Sequence, residues 1–187
     1  MQEEESNKRW KRFLSGDNDA YSWLYNEYVQ MLFRYGLRFT SDSELIKDCI
    51  QELFTTLYKN RKHLGLPPSN VKVYLFVSLK NNLIRAMERL SRFESMENEM
   101  DTFLLEPTVE EQYIDDESYR NRREMVDKIL NLLTPRQKEI IYYRYIREFS
   151  TNEICSLMQL NYQSAQNLLQ RAVKKIREHF HPENTDK

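Results

Sequence analysis

The sequence predicts an all-α protein: two small helical domains joined by an acidic flexible linker, the C-terminal one containing a helix-turn-helix. Three observations carry this. Glycine occurs three times and proline five times in 187 residues, so few residues interrupt a helix. Apolar residues recur at i, i+3 and i+4, the period of a buried helix face. Charge is also segmented. Residues 7–90 hold 14 Lys and Arg against 8 Asp and Glu, residues 91–118 hold one Arg against 10 acids, and residues 119–187 hold 13 against 8. The net charge of −1 is a cancellation between two basic blocks and an acidic one, which leaves a nucleic-acid partner open. The expected division is 7–90, linker 91–118, and 119–180.

The elements follow in order. Gly16-Asp17-Asn18-Asp19 starts a helix that runs to Arg38, because Asp and Asn accept the free N–H groups of a first turn. Its stripe is Tyr21, Leu24, Tyr25, Tyr28, Leu32, Phe33 and Tyr35. Ser41 with Glu44 three residues on reads as a capping box for a second helix. Leu45, Ile46, Cys49, Ile50, Leu53, Phe54 and Leu57 line that helix. Pro67 and Pro68 force a loop, and Ser69 can cap a third helix with Val73, Phe76, Val77, Leu79, Leu83 and Ile84 apolar. Residues 91–118 are acidic with scattered apolar residues and read as a flexible tether. Met125, Ile129, Leu132 and Leu133 mark the next helix. Thr134-Pro135-Arg136-Gln137 is a capping box with proline at the first helical position. Ile140, Ile141 and Tyr145 are its expected core face. Ser150 to Glu153 is another capping box, opening a short helix with Ile154, Leu157 and Met158. After a break at Gln159-Leu160-Asn161, a last helix runs from Tyr162 to about Phe180.

Several functions are excluded or disfavoured. No stretch approaches 18 uncharged apolar residues, so no membrane insertion is expected, and the acidic start lacks a secretory h-region. Cys49 and Cys155 lie far apart and outside any CxxC pair, which points to a reducing cytoplasm and away from disulfide or zinc scaffolds. Three glycines exclude GxGxxG and Walker loops. His63, His179 and His181 have no metal-ligand partners, and the last two read as a frayed tail. No enzyme, metal or cofactor is expected.

A short helix, a tight turn and a longer helix make a helix-turn-helix. Its expected buried set is Ile154, Cys155, Met158, Leu160, Ala165, Leu169 and Ala172, with the turn position Gln159 at φ > 0, where glycine is favoured. The wet face of the second helix carries Gln163, Ser164, Gln166, Asn167, Gln170 and Arg171. Gln and Asn pair bidentately with adenine and Arg with guanine in a major groove. Lys174 and Lys175 suit phosphates.

The stretch LTPRQKEIIYYRYIREFSTNEICSLMQLNYQSAQNLLQRAVKKIRE, residues 133–178, resembles region 4 of bacterial RNA polymerase sigma factors of the extracytoplasmic-function (ECF) type. LFRYGLRFTSDSELIKDCIQELFTTLYKNRKHL, residues 32–64, resembles region 2 of the same family, and YLFVSLKNNLI, residues 74–84, looks like its end. Departures are Gln159 for the turn glycine, Leu168 where a basic residue is common, and Asn82 at an often apolar position. The resemblance implies a factor that binds core RNA polymerase and directs promoter-specific initiation at −10 and −35 elements. It places polymerase docking on Asp48, Gln51, Glu52 and Phe54, the first three sharing a helix face by their spacing. It implies −10 contacts by Arg61, Lys62, Asn70, Lys72, Lys80, Asn81 and Arg85 near a loop, residues 63–71, that captures a flipped base. Tyr74 matches a usually aromatic position, read here as packing. The polar face after the turn, with Lys174 and Lys175, is implied to read the −35 element. Family members are commonly held inactive by an anti-sigma factor. The alternatives are a helix-turn-helix regulator that is not a sigma factor, or a protein-binding helical adaptor.

The linker fits this reading. The two promoter elements lie more than one helical turn of about 34 Å apart, so on the order of 50 Å must be bridged. A 28-residue tether reaches roughly 90–100 Å when extended. Its acidity suits a segment that stays off duplex DNA or, as the resemblance implies, one that threads the polymerase cleft; a merely solvated spacer fits the sequence equally well.

Overall fold

The structure, a computed structural model, describes residues 2–64, 70–94, 103 and 117–180. It divides into two compact units, residues 1–100 and 101–187. Among the described residues, all regular structure is helical.

The first unit holds α1 (Gln2–Leu14), α2 (Asn18–Gly36), α3 (Ser43–Asn60) and α4 (Val71–Glu94). Helix α1 is absent from the sequence expectation, and a domain starting at residue 7 would cut it. Its apolar content is sparse, but Trp10 and Phe13 are fully buried. One Trp and one Phe remove enough apolar surface from water to hold a short helix. Ser6 Oγ and Tyr28 OH sit 2.7 Å apart in a buried hydrogen bond that ties α1 to α2. Burial pushes the Tyr28 hydroxyl up from its ordinary pKa. Glu3, Glu4 and Glu5 in the first turn and Lys11 and Arg12 in the last complement the helix dipole.

Gly16, at φ 98°, turns the chain into Asp17, which caps α2 by accepting from the backbone of Asp19 and Ala20. The Ala20 N–H and the Arg12 guanidinium hold the Asp17 carboxyl below the usual carboxylate range. Helix α2 ends at Gly36, where a Cβ would lie 2.6 Å from Ile46 Cγ2. Glycine there lets α3 pass against α2. The cap of α3 is Asp42 rather than Ser41: its carboxylate accepts from Glu44 and Leu45 N–H. Thr40 Oγ1 accepts from Asp42 N–H. Ile46, Cys49, Ile50, Leu53, Phe54 and Leu57 are buried as the spacing indicates. Asn70 caps α4, accepting from Val73 N–H at 3.2 Å; Ser69, expected in that role, lies outside the described residues. Helix α4 buries Val71, Val73, Leu75, Phe76, Leu79, Leu83 and Ala86. Tyr35 stacks on Phe76 at 4.5 Å to join α2 and α4. Helix α4 runs four residues into the stretch expected to be linker.

The second unit holds α5 (Glu117–Leu132), α6 (Pro135–Ile141), a π-helical turn (Tyr142–Ile146), α7 (Thr151–Met158) and α8 (Tyr162–Phe180). Both capping boxes form: Thr134 with Gln137 and Ser150 with Glu153. The π turn changes the expected core. Tyr145 is 60 % exposed, while Tyr142 and Tyr143 are buried. A π turn closes i to i+5, as Arg147 N–H does onto Tyr142 O at 3.0 Å. The extra residue per turn rotates the two tyrosines inward and carries Tyr145 off the face that a 3.6-residue period assigns it. Tyr143 OH donates to the buried Glu139 carboxylate at 2.8 Å. His179, read as frayed tail, lies within α8.

Candidate nucleic-acid interface

In the second unit, α7 and α8 pack on each other around Ile154, Leu157, Met158, Ala165 and Ala172, all buried. Cys155, Leu160 and Leu169 are half-buried rather than fully enclosed, so the buried set is narrower than expected and gains Leu157. Between the helices, Gln159 adopts φ 52°, ψ 45°, the left-handed conformation. A non-glycine residue costs roughly 1 kcal/mol there. Leu160 N–H donates to Cys155 O at 3.0 Å, which closes the turn. Asn161 then caps α8, accepting from Ser164 N–H at 2.8 Å.

The outer face of α8 carries the residues singled out for base contact. Gln163, Gln170, Arg171 and Lys174 are exposed, and Ser164, Gln166 and Asn167 are half-buried on its flanks. Gln163 Nε2 donates to Asn167 Oδ1 at 3.0 Å, aligning two amides one turn apart. The face is polar, with amide donors and acceptors in its N-terminal half and cations in its C-terminal half, the order that suits base edges and then phosphates. Lys175 is exposed as well and lies at the edge of this face, about 20° around the helix from Ser164 and about 40° from Arg171; its ammonium donates to Leu132 O at 3.4 Å. Lys174 pairs with Glu178 at 3.6 Å.

In the first unit, Asp48, Gln51 and Glu52 form an exposed strip on α3. Phe54 does not join it: it is buried, with its ring edge-on to Tyr21 at 6.2 Å and Tyr25 at 5.0 Å. At two residues from Glu52, it falls on the opposite side of the helix from that carboxylate. It holds α3 in place from beneath. The buried Cys49 thiol is pushed up in pKa by burial first and then by the neighbouring Glu52 carboxylate.

The residues expected near a −10 element are only partly together. Asn81 and Arg85 line an open pocket of about 340 Å³ with Glu52, Asn60, Tyr74 and Asn82. Arg85 donates to Asn82 Oδ1 at 2.6 Å. Asn82, unusual for an apolar position, thus orients the arginine. Arg61 ends α3, with its guanidinium 4.6 Å from the Tyr58 ring centroid and donating to Tyr58 O at 3.1 Å. Lys62 is exposed, Lys72 is half-buried, and Lys80 sits 6.0 Å from the centroid of the Phe39 ring. Asn70 is engaged as the α4 cap, and residues 65–69 of the expected loop lie outside the described residues. Tyr74 is half-buried and edge-on to Trp10 at 5.4 Å. This supports the packing reading, while one side of the ring lines the pocket. Asn60 was missed as a pocket residue, because it lies on a different helix from Asn81 and Arg85 and in no motif, and Tyr74 was read as packing alone, whereas it also lines the pocket.

Residues 24–93 match the family model described as Sigma-70 region 2, and residues 123–176 match Sigma-70, region 4. The chain is 25% identical over 154 residues to the ECF RNA polymerase sigma factor SigL of Mycobacterium tuberculosis, covering 82% of this chain and 85% of that protein. Two solved structures share the fold. One is CnrH in complex with the cytosolic domain of CnrY, with TM-score 0.60, 15% identity, and 96% of this chain and 99% of the other covered. The other is the sigma factor RpoE in complex with the anti-sigma factor NepR from Bartonella quintana, with TM-score 0.58, 17% identity, and 87% and 98% covered. The two regions occur in the family's order and together take up more than half of the chain, and the protein therefore belongs to the sigma-70 family of RNA polymerase sigma factors, in its ECF form.

Proposed function

We propose that this sigma factor binds core RNA polymerase through the exposed α3 strip Asp48, Gln51 and Glu52, and directs promoter-specific initiation. Phe54 supports that strip from inside. The first unit engages the −10 element, with Arg61, Lys62, Lys72, Lys80 and Arg85 supplying charge for the backbone of single-stranded DNA. Asn81 and Tyr74 offer a polar edge and an aromatic wall to a base. Asn70 serves the same surface by starting α4. The second unit places α8 in the major groove at the −35 element, where Gln163, Ser164, Gln166, Asn167, Gln170 and Arg171 meet base edges and Lys174 meets phosphate. Lys175 takes a flanking phosphate after leaving Leu132. In this reading the units correspond to residues 7–90 and 119–180, extended at the first by all of α1 and α4, with the acidic segment between them as tether.

Sigma factors are generally non-enzymatic regulators, and no catalytic role is assigned to any residue here. Among the described residues, no helix is long and apolar enough to cross a membrane; the proposed workplace is the cytoplasm, where polymerase is. Both solved relatives are bound to another protein, CnrY and the anti-sigma factor NepR, so an anti-sigma factor is the expected third partner besides polymerase and promoter DNA.

The observation that carries this reading is the pairing of a capped helix-turn-helix with the exposed acidic strip of α3, each in its own unit. Run-off transcription tests it. Core polymerase with this protein is expected to produce start-site-specific transcripts on promoters near its own gene; no transcript above core alone refutes it.

A further inference from the structure

We propose that the aromatic cleft of the second unit is a seat for the linker's own Phe103, and that this seating is a releasable anchor that shortens the tether. Phe103 is only 4 % exposed, although it comes from the acidic stretch that sequence assigns to solvent. Its ring lies 5.4 Å from that of Tyr142 and 6.2 Å from that of Tyr143. Tyr143 in turn meets Phe149 at 6.0 Å. The π turn makes this seat, because it brings two consecutive tyrosines to the inner side where a regular helix would bring one.

The consequence is one of chain length. From Glu94, where α4 ends, to Phe103 is nine residues, which span at most about 30 Å. From Glu94 to the start of α5 at Glu117 is 23 residues, or about 80 Å. Seating Phe103 thus cuts the chain free to extend between the units from about 80 Å to at most about 30 Å, which narrows the range of promoter spacings the two units can reach together. One aromatic side chain is a modest hold compared with a domain core, so binding of polymerase and both promoter elements can displace it. While seated, it lowers the fraction of molecules competent to engage both elements, and the apparent affinity falls by that fraction.

The anchor itself rests on the geometry; its consequence for initiation rests on the sigma-factor reading. The test compares full-length wild type, Phe103→Ala, and a variant with ten Gly/Ser residues inserted between Asn98 and Glu99, which leaves the seat intact. Small-angle scattering is expected to show a larger maximum dimension for both variants at unchanged far-UV circular dichroism. In run-off titrations against core polymerase, both reach half-maximal transcript at about three- to tenfold lower factor concentration than wild type. A maximum dimension unchanged in Phe103→Ala overturns the anchor, as does a run-off midpoint unchanged or raised in the insertion variant. Phe103 would then be a fixed part of the second unit's core. Absence of run-off from wild type and both variants refutes the sigma-factor reading instead, while the scattering comparison still decides the anchor.

Discussion

The two units reach stability by different means. The first is built on long-range aromatic packing: Trp10, Phe13, Tyr35 and Phe76 are nearly or fully inaccessible, and ring contacts join α1 to α4 and α2 to α4. The second relies more on local devices. Two reciprocal capping boxes start α6 and α7, a left-handed residue closes the turn, and two alanines of α8 are buried. Long-range packing yields a rigid platform that can hold a strip of carboxylates and a pocket on neighbouring helices. Local devices yield a small module that presents one helix outward. The contrast teaches that local signals, where they dominate, are readable residue by residue, whereas a packed platform hides some of its own elements.

The largest effect expected from this contrast is in the platform. Trp10→Ala removes the main anchor of α1 and is expected to cost about 3–5 kcal/mol. Hydrogen exchange should show lost protection in α2 and α4 with α8 unchanged; equal loss in α8 would mean the units do not stand independently. Next is the outward helix. Arg171→Ala is expected to weaken promoter use by about 1–3 kcal/mol with sequence preference relaxed at one position, at unchanged affinity for core polymerase in a pull-down titration. Lost polymerase binding would make that residue structural. Ser150→Ala deletes one capping box and is expected to cost about 1 kcal/mol, read as a lower melting temperature of the second unit. A negligible change would show that packing, not capping, carries α7. The smallest effect has the opposite sign. Gln159→Gly relieves the left-handed strain and is expected to stabilise the second unit by about 0.5–1 kcal/mol; destabilisation would mean the Gln159 side chain contributes more than its backbone costs.

Particular residues show how far sequence reasoning reaches. Asp17, Thr134 and Ser150 were recognisable as caps, because a cap needs only its own side chain and the next three N–H groups. The choice of Asp42 over Ser41, one residue away, was not, since both side chains are competent and the approach of the chain decides. Tyr145 was misplaced because a 3.6-residue period assumes a regular helix, and nothing local announces a π turn. The docking strip came from the family resemblance, and the i, i+3, i+4 spacing places Asp48, Gln51 and Glu52 on one helix face; that Phe54 turns inward is decided by its packing against Tyr21 and Tyr25. Lys175 looked like Lys174's neighbour in role, but adjacent helical residues point about 100° apart, which brings it to Leu132 O.

By itself, the amino-acid order determined helices, caps, the polar face of α8 and a charge pattern of basic, acidic and basic blocks, because each depends on residues within a few positions of one another. Only the tertiary structure decided that α1 belongs to the first unit, that Asn60, Tyr74, Asn82 and Arg85 share a pocket, and that Phe103 leaves its acidic surroundings for a cleft of tyrosines. Those facts depend on surfaces distant in sequence meeting in space, where burial of a single aromatic ring outweighs the character of its neighbours along the chain.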